Sequence, residues 1–168
     1  MVSYIPDPPD RAEEFEPLLD GLAAIFCHGQ DLTATVAKNA TASRYLRCER
    51  MRAAIGRAAA QDLDLVRANA ALVLGTVVHD QCRSGNRKLI EPLVAAVGYR
   101  SVQEALIGYV DKGTDAEAIG ATMAWYWARP QLVYLGAAKA DPDRYERLLR
   151  AQAEQPSTTI TGRSSIQP

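Results

Sequence analysis

The chain has 168 residues, of which 48% are hydrophobic and 23% are charged, and this composition is typical of one globular domain. Its net charge of −1 excludes a general basic field that would gather nucleic acid or anionic lipid. The three cysteines exclude a disulfide framework, and the lack of a signal peptide and of a long apolar run predicts a cytoplasmic protein without a transmembrane helix.

The predicted domain organisation has three parts. Residues 1–10 hold three prolines and two aspartates, and we expect them to form an extended N-terminal segment. Residues 11–154 are predicted to form a single helical-repeat domain, because alanine is abundant and runs of β-branched residues are short. Residues 155–168 lack core-forming side chains and are predicted to be a disordered tail.

Apolar side chains recur at three- and four-residue steps, which predicts about eight helices. They cover residues 10–27, 31–38, 43–59, 62 or 64 to 80, 86–97, 101–112, 114–128 and 143–154, and the short apolar segment 132–135 is also assigned to helix. The apolar face of the first helix comprises Phe15, Leu18, Leu19, Leu22, Ile25 and Phe26. In the helix over 43–59 the side chains expected to point inward are Tyr45, Leu46, Met51 and Ile55.

Polar residues at the predicted helix starts indicate caps. Thr114 with Glu117 three residues later has the spacing of a capping box. Asp62 or Asp64 can cap the helix that follows, and Asn86 can cap the helix over 86–97.

The stretch DLVRANAALVLG, residues 64–75, has the spacing of a packing motif in stacked helices. Asp64 precedes a Val66-Arg67 pair, small residues follow at Ala70 and Ala71, and a Leu-Gly pair closes the stretch. We expect Arg67 to lie across the end of a neighbouring helix and to bond its carbonyls or an acid. In these positions the stretch resembles the second helix of a HEAT repeat, and the helix starts near residues 64, 101 and 141 are spaced as in a helical repeat array.

The resemblance implies a fold class and a general use. It implies an all-α, short right-handed α-α superhelix of stacked antiparallel helix pairs, and an irregular helical bundle is the alternative. It extends over roughly residues 43–128, with the strongest match in the dozen residues of the stretch itself. HEAT-like arrays serve mainly as binding surfaces.

Two groups of residues are candidates for a binding surface. Trp125 and Trp127 lie about 200° apart on a helix, so they cannot both face the core. Either one of them is exposed next to Arg129, or one is in the core and the other packs under the segment 132–135. Residues 41–60 carry five arginines and one glutamate, whereas residues 1–40 carry seven acids and two basic side chains. The arginines either bind an acidic partner or phosphate, or form a solvated face paired with the acidic first helix.

The sequence points to no catalytic or metal chemistry. His79 and Cys82 are spaced as a pair of metal ligands, but the second such pair, Cys27-His28, is 51 positions away and no C-x-x-C occurs. The cysteines are interpreted as small buried apolar groups. Glycine-rich phosphate loops, H-E-x-x-H and G-x-S-x-G are all absent from the sequence, so no catalytic residue, metal or cofactor is predicted.

The function predicted from these features is non-catalytic protein binding, as a scaffold, an adaptor or a small regulatory or immunity-type protein. The predicted partner face comprises Arg47, Arg50, Trp127 and Arg129. The partner is expected to be another protein, possible partners also include a second copy of the chain, and no membrane is involved. The alternatives are a nucleic-acid-binding, glycosylase-like HEAT protein and a ligand-binding or enzymatic helical bundle.

Overall fold

The computed structural model describes residues 12–29, 32 and 40–129, and within these ranges the chain forms seven helices and no strand. The all-α prediction is confirmed for this part of the chain. The helices are α1 (Ala12–Phe26), α2 (Ala40–Gln61), α3 (Leu63–Ala68), α4 (Ala70–His79), α5 (Arg87–Val97), α6 (Tyr99–Lys112) and α7 (Asp115–Trp125). Across these described ranges, no helix is long and apolar enough to cross a membrane.

Several predictions fall outside the described residues. They concern the extended segment 1–10, the helices over 31–38 (apart from residue 32) and 143–154, the short segment 132–135 and the tail 155–168.

The first helix, α1, buries the apolar face that its spacing predicts. Four side chains of this face are at most 5% exposed: Phe15, Leu18, Leu19 and Leu22. The acidic residues of α1 face the arginines of α2. Arg44 donates to Glu16, and Arg47 donates to Asp20 and lies 3.6 Å from a carboxylate oxygen of Glu16. These ion pairs favour the interpretation in which the arginines pair with the acidic first helix.

The inward face of α2 differs from the prediction at its start. Met51 and Ile55 are buried as expected, but Tyr45 is 59% exposed and Leu46 is 40% exposed. The buried stripe of residues 44–61 begins at Cys48. Leu46 lies about 200° around the helix from Cys48 and so points away from the core. Tyr45 lies in the turn before the buried stripe begins. The prediction that Tyr45 and Leu46 point inward is therefore wrong.

Side-chain caps form at one of the two predicted sites in this region. The backbone N–H of Leu65 donates to Asp62 Oδ1 at 2.9 Å, so Asp62 is the cap of α3. Asp64 lies in the first turn instead, where it accepts a hydrogen bond from Arg67. Asn86 occupies the N-cap position of α5, but its buried side chain makes no capping bond, so that part of the prediction is wrong.

A break at Asn69 divides the helix predicted to run to residue 80 into α3 and α4. Asn69 Nδ2 donates to the carbonyl of Leu65 at 2.9 Å, and its backbone has φ −113° and ψ 20°. A short polar side chain that bonds the preceding turn competes with the helical pattern. The prediction of one continuous helix is therefore wrong, although Val66, Ala70 and Leu74 are all buried.

Arg67 ties α3 to the end of α5. Its Nε and Nη2 donate to the backbone carbonyl of Ala96 at 3.1 and 2.9 Å. Ala96 lies in the last turn of α5, where carbonyl groups have no partner within the helix. The predicted role of Arg67, a bond across the end of a neighbouring helix, is confirmed.

The centre of the packing is α4, which contacts α1, α3, α5 and α7. All residues from 73 to 78 are buried. The approach of α7 is closest at Gly120, where a Cβ atom would lie 1.7 Å from the backbone oxygen of Val78. In a helical repeat array each helix pair packs only against the adjacent pairs, so this contact between α4 and α7 is not a feature of such an array.

The boundaries of α5, α6 and α7 follow local signals in the sequence. Gly98 ends α5 with φ +85°, in the left-handed region that favours glycine. The predicted capping box is formed at the start of α7. Glu117 N–H donates to Thr114 Oγ1 at 3.3 Å, and Thr114 N–H donates to Glu117 Oε2 at 2.7 Å.

Candidate functional site

A buried ion pair holds the α4–α5 loop, residues 80–86, against α2. Arg52 and Asp80 are 4% and 0% exposed. Arg52 Nε and Nη2 donate to the two carboxylate oxygens of Asp80 at 2.7 and 2.6 Å. Cys82 N–H donates to the same carboxylate at 2.9 Å, and the guanidinium carbon of Arg52 lies 4.9 Å from the ring centroid of Phe15. Arg52 therefore does not belong to the basic face suggested by the sequence.

Glu49 extends this network to α5. It accepts hydrogen bonds from Arg52 Nη1 and from Lys88 Nζ, each at 2.8 Å. Gly85 lies against the network, and a Cβ atom there would come within 2.9 Å of Cys82 Sγ and 3.0 Å of Glu49 Oε1. A side chain at position 85 would therefore require the side chains of Cys82 and Glu49 to move.

The pKa values of the two carboxyl groups in the network are shifted in opposite directions. Burial raises the pKa of Asp80, and the hydrogen bonds and charge of Arg52 offset this only in part. Burial also opposes ionisation of Glu49, but the hydrogen bond from Lys88 and the charge of Arg52 outweigh it and lower the pKa of Glu49. Because the charges compensate one another, we interpret the network as structural.

The lowered pKa of Glu49 predicts a pH-dependent contribution to stability. A folded-state pKa below the unfolded value of about 4.3 gives stability that is present above that pH and is lost as the pH falls through the folded-state pKa. We expect Glu49→Gln to lower the free energy of unfolding by about 1 kcal/mol at pH 7, and by much less at pH 3. Urea denaturation at both pH values measures this.

The matched control is Glu104→Gln, since Glu104 is exposed and pairs with Arg100 on the surface of α6. Its effect is expected to be small at both pH values. An equal loss for Glu49→Gln at pH 7 and pH 3 would show that the charge of Glu49 makes no contribution.

The chain leaves α7 in a turn that positions three aromatic side chains. Trp127 N–H donates to the carbonyl of Ala124 at 3.0 Å, which is a tighter turn than an α-helix. The Trp127 indole Nε1 donates to the carbonyl of Arg83 at 2.8 Å, and so joins this turn to the α4–α5 loop. Trp125 and Trp127 are both half-buried, whereas Tyr126 is 58% exposed. Of the two alternatives, the one with an exposed tryptophan is therefore wrong, and the exposed aromatic residue of this turn is Tyr126.

An open groove of about 630 Å³ lies between the outer face of α7 and the α4–α5 loop, and we call it the α7 groove. Five of its lining residues belong to α7 and the turn after it: Ala118, Ile119, Thr122, Met123 and Tyr126. The other side is formed by Arg83, Ser84 and Trp127. Most of this lining is apolar or aromatic, as is usual for a site that binds by burying hydrophobic groups.

Arginines border the groove. The guanidinium carbon of Arg87 lies 5.0 Å from the ring centroid of Trp127, and that of Arg129 lies 5.1 Å from the ring centroid of Tyr126. Both distances are within the range of a cation–π contact. Arg83 is part of the lining itself, so arginines surround the groove, although Arg87 also pairs with Glu91 at 2.6 Å.

The structure places the predicted partner face in two neighbourhoods. Arg47 bonds carboxylates of α1, and Arg50 is an exposed residue of α2. Trp127 and Arg129 instead belong to the α7 groove or its rim. The groove thus combines only half of the residues that the sequence suggested.

The histidines bond the backbone of the preceding helical turn, and the cysteines are buried or half-buried. The Nδ1 atoms of His28 and His79 lie 2.6 and 2.8 Å from the backbone oxygen four residues earlier. Cys27 and Cys48 are buried, which raises the pKa of both thiols, and Cys82 is half-buried. Among residues 12–29, 32 and 40–129, no three His, Cys, Asp or Glu side chains are placed to hold a metal ion.

Sequence reasoning missed most of the groove, although its signal is visible in the sequence. Ile119, Met123 and Tyr126 follow one another at steps of four and three residues, which places them on one side of α7. Arg83 and Arg87 give no such signal, because only the fold brings them to the same place. Comparison with known proteins adds no relative: no protein-family model, curated protein or solved structure matches the chain.

Proposed function

We propose that the protein is a non-catalytic, cytoplasmic protein-binding adaptor or small regulatory protein, and that the α7 groove receives an apolar segment of its partner. The observation that carries this proposal is the open, mainly apolar groove with guanidinium groups at its rim. Soluble proteins seldom leave a large contiguous apolar surface uncovered unless it has a binding role.

The lining suits apolar anchor residues. Tyr126 and Trp127 are of the residue types that dominate the energetics of protein interfaces. Met123 has a flexible, polarizable side chain that adapts to different partner shapes. A partner helix with apolar residues at three- and four-residue spacing would place them along the outer face of α7.

The charge of the rim favours acidic residues beside those anchors. Arg129 carries positive charge next to Tyr126, and Arg83 lines the groove, whereas the charge of Arg87 is shared with Glu91. Asp or Glu residues that flank the apolar anchors would therefore steer the partner and set its orientation. The partner chemistry that we propose is an amphipathic helical segment with acidic flanks.

Nucleic acid fits the structure less well. Of the arginines in α2, Arg44 and Arg47 bond carboxylates of α1, and Arg52 is buried. Phosphate backbones are bound by several accessible cations that release counterions. A protein segment with apolar anchors makes better use of the α7 groove.

The finer fold that we propose is a pair of HEAT-like helix pairs closed by α7. The first pair is α2 with α3–α4, and the second is α5 with α6. The contacts of α5 with α2, α3 and α4 and the bond from Arg67 to Ala96 support the stacking of these pairs. The alternative, an irregular bundle, is supported by the contact between α4 and α7 and by the packing of α2, which lies against α1 and α5 rather than along α4.

The test begins with selection of helical peptides from a phage-displayed random library on the full-length protein. We expect enrichment of peptides with apolar residues at helical spacing and with acidic flanks. Tyr126→Ala is expected to weaken their binding about 30-fold, as truncation of a central aromatic residue in an interface does. Fluorescence polarization of a labelled peptide measures this loss, and the fold should be unaffected because Tyr126 is 58% exposed.

Tyr45→Ala is the matched control, because Tyr45 is 59% exposed but lies on α2, beside Arg44 and Arg47. Its effect on peptide affinity is expected to be less than twofold. Weaker binding by Tyr45→Ala and unchanged binding by Tyr126→Ala would place the site on α2 and overturn the proposal. Salt-sensitive binding of single-stranded DNA without any peptide enrichment would instead support the nucleic-acid alternative.

A further inference from the structure

We propose that the resident occupant of the α7 groove is the chain's own segment 143–154. This inference rests on the proposed function, in which the groove receives an apolar segment. If the segment lies in the groove, an external partner has to displace it, so the C-terminal part of the chain regulates the site.

The first argument is where the described chain ends. Tyr126 and Trp127 line the groove, and Arg129, the last described residue, stacks on Tyr126. The tether of residues 130–142 therefore starts at the groove. Fully extended it spans up to about 40 Å, whereas the helix α7 is only about 16 Å long. The tether is long enough to bring the segment back along α7.

The second argument is the chemistry of the segment. Tyr145, Leu148 and Leu149 have the i, i+3, i+4 spacing of an apolar stripe. The charges around the stripe cancel, with Asp143, Glu146 and Glu154 against Arg144, Arg147 and Arg150. The apolar stripe suits the lining of the groove, and Asp143 and Glu146 are the residues beside it that can meet the arginines of the groove. As a helix the segment would be about 18 Å long, close to the length of α7.

The third argument is the effect of tethering. A tether of this length keeps its segment at an effective concentration of about 1 mM near its site. A segment with an intrinsic Kd of about 0.1 mM would then fill about nine-tenths of the grooves. A second copy of the chain at micromolar concentration has no such advantage, which favours the chain's own segment as the occupant.

Photo-crosslinking of the full chain tests the position of the segment. The variant Thr122→p-benzoylphenylalanine places the probe on an exposed, groove-lining residue, and Glu104→p-benzoylphenylalanine on α6 is the control. We expect crosslinks from position 122 to residues 143–154 of the same chain, independent of dilution. They should be lost with Leu148→Asp plus Leu149→Asp, and absent from position 104. Crosslinks between two chains, or none above the control, would overturn the inference.

Peptide affinity provides the second measurement. Leu148→Asp plus Leu149→Asp is expected to tighten the binding of a selected peptide about tenfold, because the tethered competitor is removed. The matched control is Ile160→Asp plus Ile166→Asp, which changes apolar residues of the tail outside the segment and should leave affinity unchanged. Unchanged affinity in both variants overturns the inference but leaves the proposed function intact. Crosslinks without any peptide binding, even in the Leu148→Asp plus Leu149→Asp variant, overturn only the proposed function.

Discussion

Gly120→Ala is expected to lower the free energy of unfolding by about 3 kcal/mol. A Cβ atom at position 120 would lie 1.7 Å from the backbone oxygen of Val78 and 2.8 Å from its carbonyl carbon. Those atoms belong to the buried helix α4, so neither can rotate away as a side chain would, and α7 has to move. The gain in helix propensity from alanine, about 1 kcal/mol, is too small to compensate. Thermal unfolding should show a midpoint lower by roughly 6–12 °C.

Gly108→Ala is the matched control within a helix. Gly108 lies inside α6, and a Cβ atom there would meet nothing within 4 Å. Alanine at this position should therefore stabilise the protein by about 0.5–1 kcal/mol. If both variants changed stability alike, the close contact between α4 and α7 would not exist. Because α7 also forms the groove, Gly120→Ala should weaken peptide binding as well.

Arg52→Met is expected to lower the free energy of unfolding by about 3–5 kcal/mol, because it leaves the carboxylate of Asp80 buried without its partner. The substitution removes two hydrogen bonds to Asp80 and one to Glu49. It also frees the α4–α5 loop, whose Arg83 carbonyl accepts the indole hydrogen bond of Trp127. Urea denaturation measures the loss of stability. The control is Arg57→Met, since Arg57 is an exposed residue of the same helix, and its free energy of unfolding should remain within about 0.5 kcal/mol of the wild type.

The double variant Arg52→Met plus Asp80→Leu distinguishes a lost ion pair from a general packing defect. Removing both charges leaves no unpaired buried ion, so it should recover most of the stability lost in Arg52→Met. A double variant less stable than Arg52→Met would contradict the assignment, since it would mean that the two side chains contribute independently.

The sequence predicts the helices well because the signals that define them are local. The apolar spacing of α1 and the capping box of Thr114 and Glu117 involve residues within a few turns of each other. The bond from Arg67 to the end of α5 was also predictable, because a long arginine on a packed helix can reach the unpaired carbonyls at the end of a neighbouring helix. The break at Asn69 was missed, because the apolar pattern continues across it and only its side-chain bond to Leu65 reveals the competition.

The site was harder to predict because its parts are distant in sequence. Arg52 stands among the exposed arginines of α2 in the sequence, and its burial depends on Asp80, 28 positions later. Trp127 is placed by the carbonyl of Arg83, 44 positions earlier. Periodicity indicates which side of a helix is apolar, but it does not show which loop packs beside that side. Thus Trp127 and Arg129 were recognised, and the groove that they border was not.

The central claim is that the α7 groove binds a protein segment, and the most direct test is titration of ¹⁵N-labelled protein with a selected peptide, followed by ¹H–¹⁵N correlation spectra. Trp125→Phe identifies the indole signal of Trp127. We expect this signal and the backbone amides of residues 118–126 to shift the most, since the indole bonds Arg83 at the wall of the groove. Shifts concentrated around Arg47 and Arg50 on α2, with the Trp127 indole unchanged, would contradict the account.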